Sequence, residues 1–246
     1  MQFSIACVCL GVGLCSIVMK SVFILMLSAT LVLSQDARLA SRRAPADFPL
    51  TADPNSPPWR GVPGVTATAD YFGAPVPNHR MEIRSRWTES HLYLLFACQY
   101  ESLHLKPAPS TDAETPQLWN WDVAEAFFGA DLGNIARYKE FQVSPQGEWI
   151  DLDINRTKGE RGQGTAWNSG MQVKARVDAT ARVWYGEMKI PFAALFEGAP
   201  SAGREVRAGF FRIAGVDPDK RKVSWQATGT KTFHVPEKFG LLQLVN

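Results

Sequence analysis

Cysteine is scarce in this chain, and its distribution excludes most cysteine chemistry. Of the four cysteines among 246 residues, Cys7, Cys9 and Cys15 lie in the apolar N-terminal segment, which leaves Cys98 alone in the rest of the chain. A single thiol can form neither an intramolecular disulfide nor a cysteine-based metal site. Because Cys98 lies in the apolar run 91–100, we expect it to be a small buried hydrophobe.

Several other chemistries are also missing from the sequence. There is no internal repeat, no glycine-rich phosphate loop after a strand, and no Gly-x-Ser-x-Gly or His-Glu-x-x-His motif. Charge is nearly balanced, with 26 basic and 24 acidic residues, so nothing indicates nucleic acid or an anionic membrane surface as a partner. Metal-ligand spacing is absent from the four histidines, which are His79, His91, His104 and His234.

The first 34 residues have the pattern of a signal peptide. They contain one charge, Lys20, between two apolar runs, and from Met19 onward they show a basic start, an apolar middle and Ser34 before Gln35. We therefore expect Met19 to be the true start and the mature protein to be secreted or periplasmic, free of the membrane after cleavage. An uncleaved anchor is the alternative, since the whole run exceeds the roughly 20 residues that a span needs. Lys20 in its middle argues against it.

The rest of the chain predicts a polar, flexible linker over residues 35–47 and one domain over 48–246. Many short alternating runs and almost no helix favour an all-β, antiparallel β-sandwich with jelly-roll-like, immunoglobulin-like layering. One short helical turn is expected at 192–196. The predicted strands are 80–88, 91–100, 122–128, 139–143, 149–154, 172–178, 183–190, 207–214, 223–226 and 240–244.

The segment 118–128 is the most informative one for function. Trp119 and Trp121 lie in a polar loop just before an alternating strand that carries Asp122 and Glu125. Indoles are hard to explain as core in a loop, because connections run over the surface. An exposed ring can stack on the apolar face of a pyranose while nearby carboxylates accept its hydroxyl hydrogens. The pattern therefore indicates carbohydrate binding.

The Asp-x-x-Glu-x-Phe motif of residues 122–127 resembles the opening signature of the family 9 carbohydrate-binding modules. The likeness continues in order along residues 48–246, through the segments 138–147, 187–195, 209–212, 224–225 and 236–240. This resemblance implies an exported, non-catalytic domain that grips a saccharide or polysaccharide and needs no cofactor for it. It also implies work beside a glycoside hydrolase or at a cell surface.

The resemblance assigns roles to particular positions. Trp119 takes the place of one aromatic wall of a sugar clamp, and Glu125 that of the carboxylate that hydrogen-bonds sugar hydroxyls. Phe233 stands where family members have a second tryptophan. Gln142 stands where sugar-binding members have an arginine. A neutral amide thus replaces a charged guanidinium group that can donate two parallel hydrogen bonds. Glu140, on the same strand face as Gln142, could share the site.

Three neighbouring residues are open to two interpretations. Trp121 could widen the aromatic platform or pack inward. His234 could donate to a hydroxyl, although a lone loop histidine is more often only solvated. Asp122 should be structural, because positions i and i+3 of a strand point to opposite faces and Glu125 is expected to take the ligand.

A structural calcium ion is a further expectation, since the family often holds one and hard cations prefer several oxygen ligands. Its weak candidates are two pairs of carboxylates, although surface carboxylates that bind nothing are commoner. The first pair, on one strand face, is Asp151 and Asp153, and the second, in an acidic turn, is Asp217 and Asp219.

Three other functions compete with sugar binding. A related haem-binding domain could use Met81, Met171, Met188 or His91, although core methionine explains the first three better. A glycoside hydrolase could use Glu125 with Glu140 or Asp151, although nothing in the sequence fixes their separation. A degenerate module that serves as an interaction scaffold would explain the two departures from the family pattern, which are Phe233 and Gln142.

Overall fold

The computed structural model describes residues 37–158 and 167–246, and this part of the chain is all-β, as predicted. Its only α-helix is α1 (Phe192–Leu195), which begins where the helical turn was expected. Three short 3-10 turns are Leu118–Asn120, Arg156–Lys158 and Pro236–Lys238. The strands are β1 (Arg38–Arg43), β2 (Gly64–Ala67), β3 (Met81–Trp87), β4 (His91–Gln99), β5 (Val123–Gly129), β6 (Arg137–Val143), β7 (Trp149–Asn155), β8 (Gln172–Asp178), β9 (Val183–Pro191), β10 (Glu205–Ala214), β11 (Arg221–Ser224) and β12 (Gly240–Val245).

The predicted signal peptide, with its proposed start at Met19, lies outside the described residues. Across the two stretches that are described, no helix has both the length and the apolar character needed to cross a membrane.

The strands form one continuous hydrogen-bonded sheet in the order β7-β6-β5-β10-β12-β1-β3-β4-β9-β8, with β11 beside β10 and β2 beside β3. Strand β1 runs parallel to both of its neighbours, β12 and β3, whereas the other strand pairs are antiparallel. The expectation of purely antiparallel pairing is therefore wrong for β1. We call β5, β6, β7, β10 and β11 the first half of the sheet, and β3, β4, β8 and β9 the second half.

The predicted flexible linker is also corrected, because most of it forms β1. Leu39 and Ser41 alternate inward, and the Ser85 hydroxyl donates to the Ser41 hydroxyl at 2.8 Å. The arginine and alanine residues of this segment gave it a linker-like composition. Strand β1 buries only two side chains, and its neighbours β12 and β3 supply more of the surrounding apolar core. Residues 38–43 thus connect the two halves of the sheet.

The main hydrophobic core lies between the two halves and draws side chains from both. In the first half, β5 contributes Ala124, Ala126 and Phe128 to it. The alternate residues Val123 and Phe127 belong to a second apolar cluster on the opposite face, and every β5 residue is buried. The first half is therefore covered on both of its faces, which places buried polar side chains on the face away from the main core.

The cysteine and methionine residues considered above are buried in the apolar core. Cys98 is fully buried, as expected, and burial raises the pKa of its thiol to about 12, which makes it unreactive at neutral pH. Met81 and Met188 are also fully buried in the main core, and Met171 packs in the same cluster. His91 faces the Asp47 carboxylate at 2.8 Å. The candidate haem ligands are thus occupied elsewhere.

A chain that begins at Phe48, the predicted domain boundary, should be much less stable than one that begins at Gln35. The shorter chain would lack β1. Its free energy of unfolding would fall by about 2 kcal/mol for the lost burial of Leu39 and by about 1 kcal/mol for each lost hydrogen bond between β1 and its neighbours. We expect the thermal midpoint to fall by about 10 °C or more. Differential scanning calorimetry measures this, and equal midpoints for the two chains would restore the linker interpretation.

Candidate functional site

A cavity of about 410 Å³ lies on the face of the first half that points away from the main core. Six of the seven side chains predicted to bind the ligand line it. They are Trp119, Glu125, Glu140, Gln142, Phe233 and His234. The seventh, Trp121, does not.

Strand register explains why polar residues from distant parts of the sequence share the floor of this cavity. Glu125 on β5 pairs with Gln142 on β6, which in turn pairs with Ile150 on β7. Two residues along, Glu140 pairs with Leu152. Side chains two residues apart in a strand point to the same face. Glu125, Gln142 and Glu140 therefore form one polar group, and the apolar side chains of Ile150 and Leu152 lie next to it.

The Gln142 amide is the centre of the polar group. Its Nε2 donates to Glu125 Oε1 at 3.0 Å and to Glu140 Oε1 at 2.6 Å, which uses both of its amide protons. Gln142 Oε1 and Glu125 Oε2 are buried and accept no hydrogen bond from any described residue. A buried acceptor without a donor costs about 1–3 kcal/mol. The floor is therefore suited to a ligand that donates hydrogen bonds.

Burial and crowding disfavour the charged form of this group. The pKa of Glu125 lies well above its usual value, first because the carboxyl is fully buried and second because Glu140 is close. Lys222, in the wall of the same cavity, acts in the opposite direction. A protonated Glu125 would offer a hydroxyl donor as well as an acceptor.

The two expected aromatic walls differ in their surroundings. Trp119 lies in the 3-10 turn before β5, is half-buried, and makes no ring contact with another aromatic side chain of the described residues. Phe233 is only 6 % exposed, and its ring stacks on Phe211 with centroids 4.4 Å apart and planes at 13°. One face of the Phe233 ring is therefore already covered. Besides Phe211, the Tyr71 ring lies 6.5 Å from the Phe233 ring between centroids, and the Lys222 ammonium lies 5.8 Å from the Phe233 centroid.

His234 is not simply solvated, in contrast to the expectation for a lone loop histidine. The Tyr138 hydroxyl lies 2.6 Å from His234 Nδ1, and the imidazole ring packs 5.2 Å from the Phe127 ring. Burial raises the pKa of Tyr138, so this hydroxyl stays protonated. The loop that carries Phe233 is thereby attached to β5 and β6.

Trp121 and Asp122 lie outside the cavity. The Trp121 ring stacks on His104 with centroids 4.7 Å apart, so of its two interpretations the structure shows packing. Asp122 is fully buried and accepts a hydrogen bond from the Gly215 backbone at 2.7 Å. Asp122 precedes β5, which begins at Val123, so strand alternation does not apply to it, and its hydrogen bond to the Gly215 backbone is what makes it structural.

The carboxylates considered for calcium on β7 have protein partners. Asp151 and Asp153 share one face, as expected, but it is the face opposite the cavity. Asp151 accepts hydrogen bonds from the backbone and hydroxyl of Ser169, at 3.1 and 2.5 Å. Asp153 pairs with the Lys139 ammonium at 2.9 Å. Both acidic side chains of this strand thus have a protein partner.

The second pair of calcium candidates lies in the turn before β11. Asp217 pairs with the Lys220 ammonium at 3.5 Å, and Asp219 follows in the same turn. Within residues 37–158 and 167–246, no three histidine, cysteine or acidic side chains come together in a way that could hold a metal ion.

Sequence reasoning missed several residues of the cavity wall, above all Lys222. Lys222 on β11 pairs with Ile213 on β10. The sequence does not predict this register, because it depends on the conformation of the turn between the two strands. Lys231 and Thr232 were also missed. A usable signal did exist for the apolar side chains of the cavity, since the isoleucine and leucine residues of β7 alternate with Asp151 and Asp153. They are Ile150, Leu152 and Ile154.

A sequence profile described as "Carbohydrate family 9 binding domain-like" matches residues 59–246, most of the chain. One protein described as extracellular, from the fungus Arthroderma benhamiae, is 25% identical over 134 residues. That match covers 50% of this chain and 60% of the fungal protein, so the chain spans less than two thirds of this relative.

Solved structures of low sequence identity share the fold. A protein from Bacteroides uniformis, proposed to bind carbohydrate, has a TM-score of 0.66 and 14% identity over 85% of this chain and 100% of its own. A family 9 carbohydrate-binding module from Caldicellulosiruptor kristjanssonii in complex with cellotriose gives 0.61 and 12%, over 85% and 94% of the two chains. The same organism's module in complex with glucose gives 0.60 and 13%, over 85% and 95%.

Replacement of Glu125 by glutamine should change how stability depends on pH. Because the folded-state pKa of Glu125 is raised above 4.5, the folded protein keeps a proton that the unfolded chain releases as pH rises past this value. The wild type should therefore lose stability relative to Glu125→Gln with increasing pH, by up to about 1.4 kcal/mol per pH unit.

Urea unfolding at pH 4 to 8 measures this difference. The matched control is Glu197→Gln, which removes an exposed carboxylate that forms no salt bridge with any described residue, and its stability curve should follow that of the wild type. Parallel stability curves for the wild type and Glu125→Gln would contradict the account of a destabilised buried carboxylate.

Proposed function

The chain belongs to the carbohydrate family 9 binding domain-like family, and on that premise we propose that its 410 Å³ cavity binds a saccharide. One observation carries this proposal: two buried acceptor oxygens, on Gln142 and Glu125, lie in a cavity whose wall includes an indole without an aromatic partner among the described residues. Sugar hydroxyls are the donors that such acceptors lack, and the indole of Trp119 offers a surface for the apolar face of the ring.

In the proposed complex the sugar lies between the Trp119 and Phe233 rings, both of which line the cavity. Its hydroxyls donate to Glu125 and Gln142, while Lys222 donates to ring or hydroxyl oxygens. A phenyl ring covers less of a sugar than an indole would. Because each hydroxyl leaves water to make these bonds, the net gain per bond is small and the affinity should be modest.

Binding without catalysis is part of the proposal. A glycoside hydrolase needs two carboxyl groups that flank the scissile bond. Here the Gln142 amide lies between the carboxyl groups of Glu125 and Glu140 and bonds to both, so that the space for a glycosidic bond is taken. Both carboxylates would therefore serve recognition, and no cofactor is required.

We further propose that the protein acts outside the cytoplasm, either secreted or periplasmic. The signal-peptide pattern of residues 1–34 and the fungal relative described as extracellular support this location. A binding domain of this kind would capture or hold glycans, in company with a glycoside hydrolase or a cell-surface partner.

Two tryptophans close in sequence provide a matched test. Trp119→Ala should weaken glucose or cellotriose binding about tenfold or more, because stacking and burial of a sugar face are worth at least about 1.4 kcal/mol. Trp121→Ala, which removes a ring outside the cavity, should leave the affinity unchanged. Isothermal titration calorimetry measures both affinities, and circular dichroism checks that each variant is folded.

Equal binding by Trp119→Ala and the wild type would contradict the proposed clamp. If the folded wild type binds neither sugar nor other neutral mono- and oligosaccharides, the interaction scaffold becomes the better account.

A further inference from the structure

The floor of the 410 Å³ cavity offers acceptor oxygens and no spare amide proton. Gln142 donates one amide proton to Glu125 and the other to Glu140. An ionised carboxyl group has acceptor oxygens only. Gln142 Oε1 and Glu125 Oε2 are buried, and no donor of the described residues reaches them. These two oxygens belong to side chains joined by a 3.0 Å hydrogen bond, so they lie in the same part of the floor.

A hydroxyl group satisfies such a floor only in part. It brings one proton together with two lone pairs, and these lone pairs need donors of their own. An ammonium group brings three donors and no lone pair, so it can serve both oxygens without adding an acceptor. Its hydrogen bonds are also about twice as strong as those between neutral groups, because one partner is ionised.

Charge in the cavity differs between the floor and the wall. The carboxyl groups of Glu125 and Glu140 are buried in the floor, whereas Lys231 is exposed and Lys222 and His234 are half-buried in the wall. Water screens an exposed charge more effectively than a buried one. A small cation that reaches the floor therefore meets the two carboxyl groups first, and Lys222 opposes it from the wall.

We propose that the cavity prefers an amino sugar, whose ammonium group donates hydrogen bonds to Glu125 Oε2 and Gln142 Oε1. The sugar ring keeps its place between Trp119 and Phe233. This inference rests on the proposed function and deepens it, because it names a saccharide unit with a primary amine as the preferred ligand.

Binding of an amino sugar should release a proton from the protein. Burial and the nearby Glu140 raise the pKa of Glu125 well above its usual value, so without a ligand this carboxyl group keeps its proton in mildly acidic solution. The ammonium group stabilises the ionised carboxylate. The Glu125 proton then passes to the solvent, while the sugar keeps its own proton. Glucose is uncharged and should leave the Glu125 proton in place.

Isothermal titration calorimetry of the full protein with glucosamine and with glucose at pH 6, where the amine is protonated, tests the inference. Glucosamine should bind about tenfold more tightly than glucose, because its hydrogen bonds involve a charged donor. Its heat of binding should differ between two buffers of unequal ionisation enthalpy, whereas that of glucose should not. N-acetylglucosamine, whose nitrogen is uncharged, should lack the preference.

Three variants assign the preference to particular charges. Glu125→Gln keeps the shape of the side chain and removes its charge, so the ratio of glucosamine to glucose affinity should fall to about one. Lys222→Met removes the opposing cation of the wall and should raise this ratio. Glu197→Gln is the matched control, because it removes an exposed carboxylate that does not line the cavity, and its ratio should equal that of the wild type.

The outcomes separate this inference from the proposed function. Wild-type protein that binds glucose as tightly as glucosamine, or more tightly, would overturn the inference and leave the proposed function standing. A preference that survives in Glu125→Gln would also overturn it, as would a heat of glucosamine binding that is the same in both buffers. Absence of binding to either sugar would overturn the proposed function together with the inference.

Discussion

The hydrogen bonds of the Gln142 amide to two carboxyl groups are the interaction on which the candidate site depends. The Gln142 amide donates to the carboxyl groups of both Glu125 and Glu140, and all three side chains are buried on the floor of the cavity. Burial of two carboxyl groups is unfavourable unless they have partners. The site is possible because the first half of the sheet is covered on both faces, by the main core on one and by the second apolar cluster on the other. The buried acceptor oxygens Gln142 Oε1 and Glu125 Oε2 lower the stability of the folded protein as long as no donor reaches them.

Much of the fold could be predicted from alternation and turn residues. The all-β class, the helix at Phe192 and most strands follow from local pattern, since side chains of a strand alternate between core and surface. The parallel placement of β1 could not be predicted, because two buried side chains, Leu39 and Ser41, make too weak a pattern among arginines. The continuous sheet depends on that strand. Pairing between strands far apart in sequence is a tertiary property, which local periodicity does not contain.

Some residues of the candidate site could be predicted from local sequence, and others depend on tertiary structure. Trp119, Glu125, Gln142 and Phe233 were accessible through the motif around 118–128 and its family resemblance, and all line one cavity. Lys222 was not, since its place follows only from the register between β10 and β11. The sequence also could not show that Phe211 covers one face of Phe233, because this contact joins a strand to a distant loop.

A crystal structure of the protein soaked with cellotriose tests the central claim most directly. The account predicts a sugar ring between Trp119 and Phe233, with hydroxyl oxygens within hydrogen-bond distance of Glu125 Oε2 and Gln142 Oε1. Density for the sugar at another surface, with the protein's own side chains filling the cavity, would contradict it.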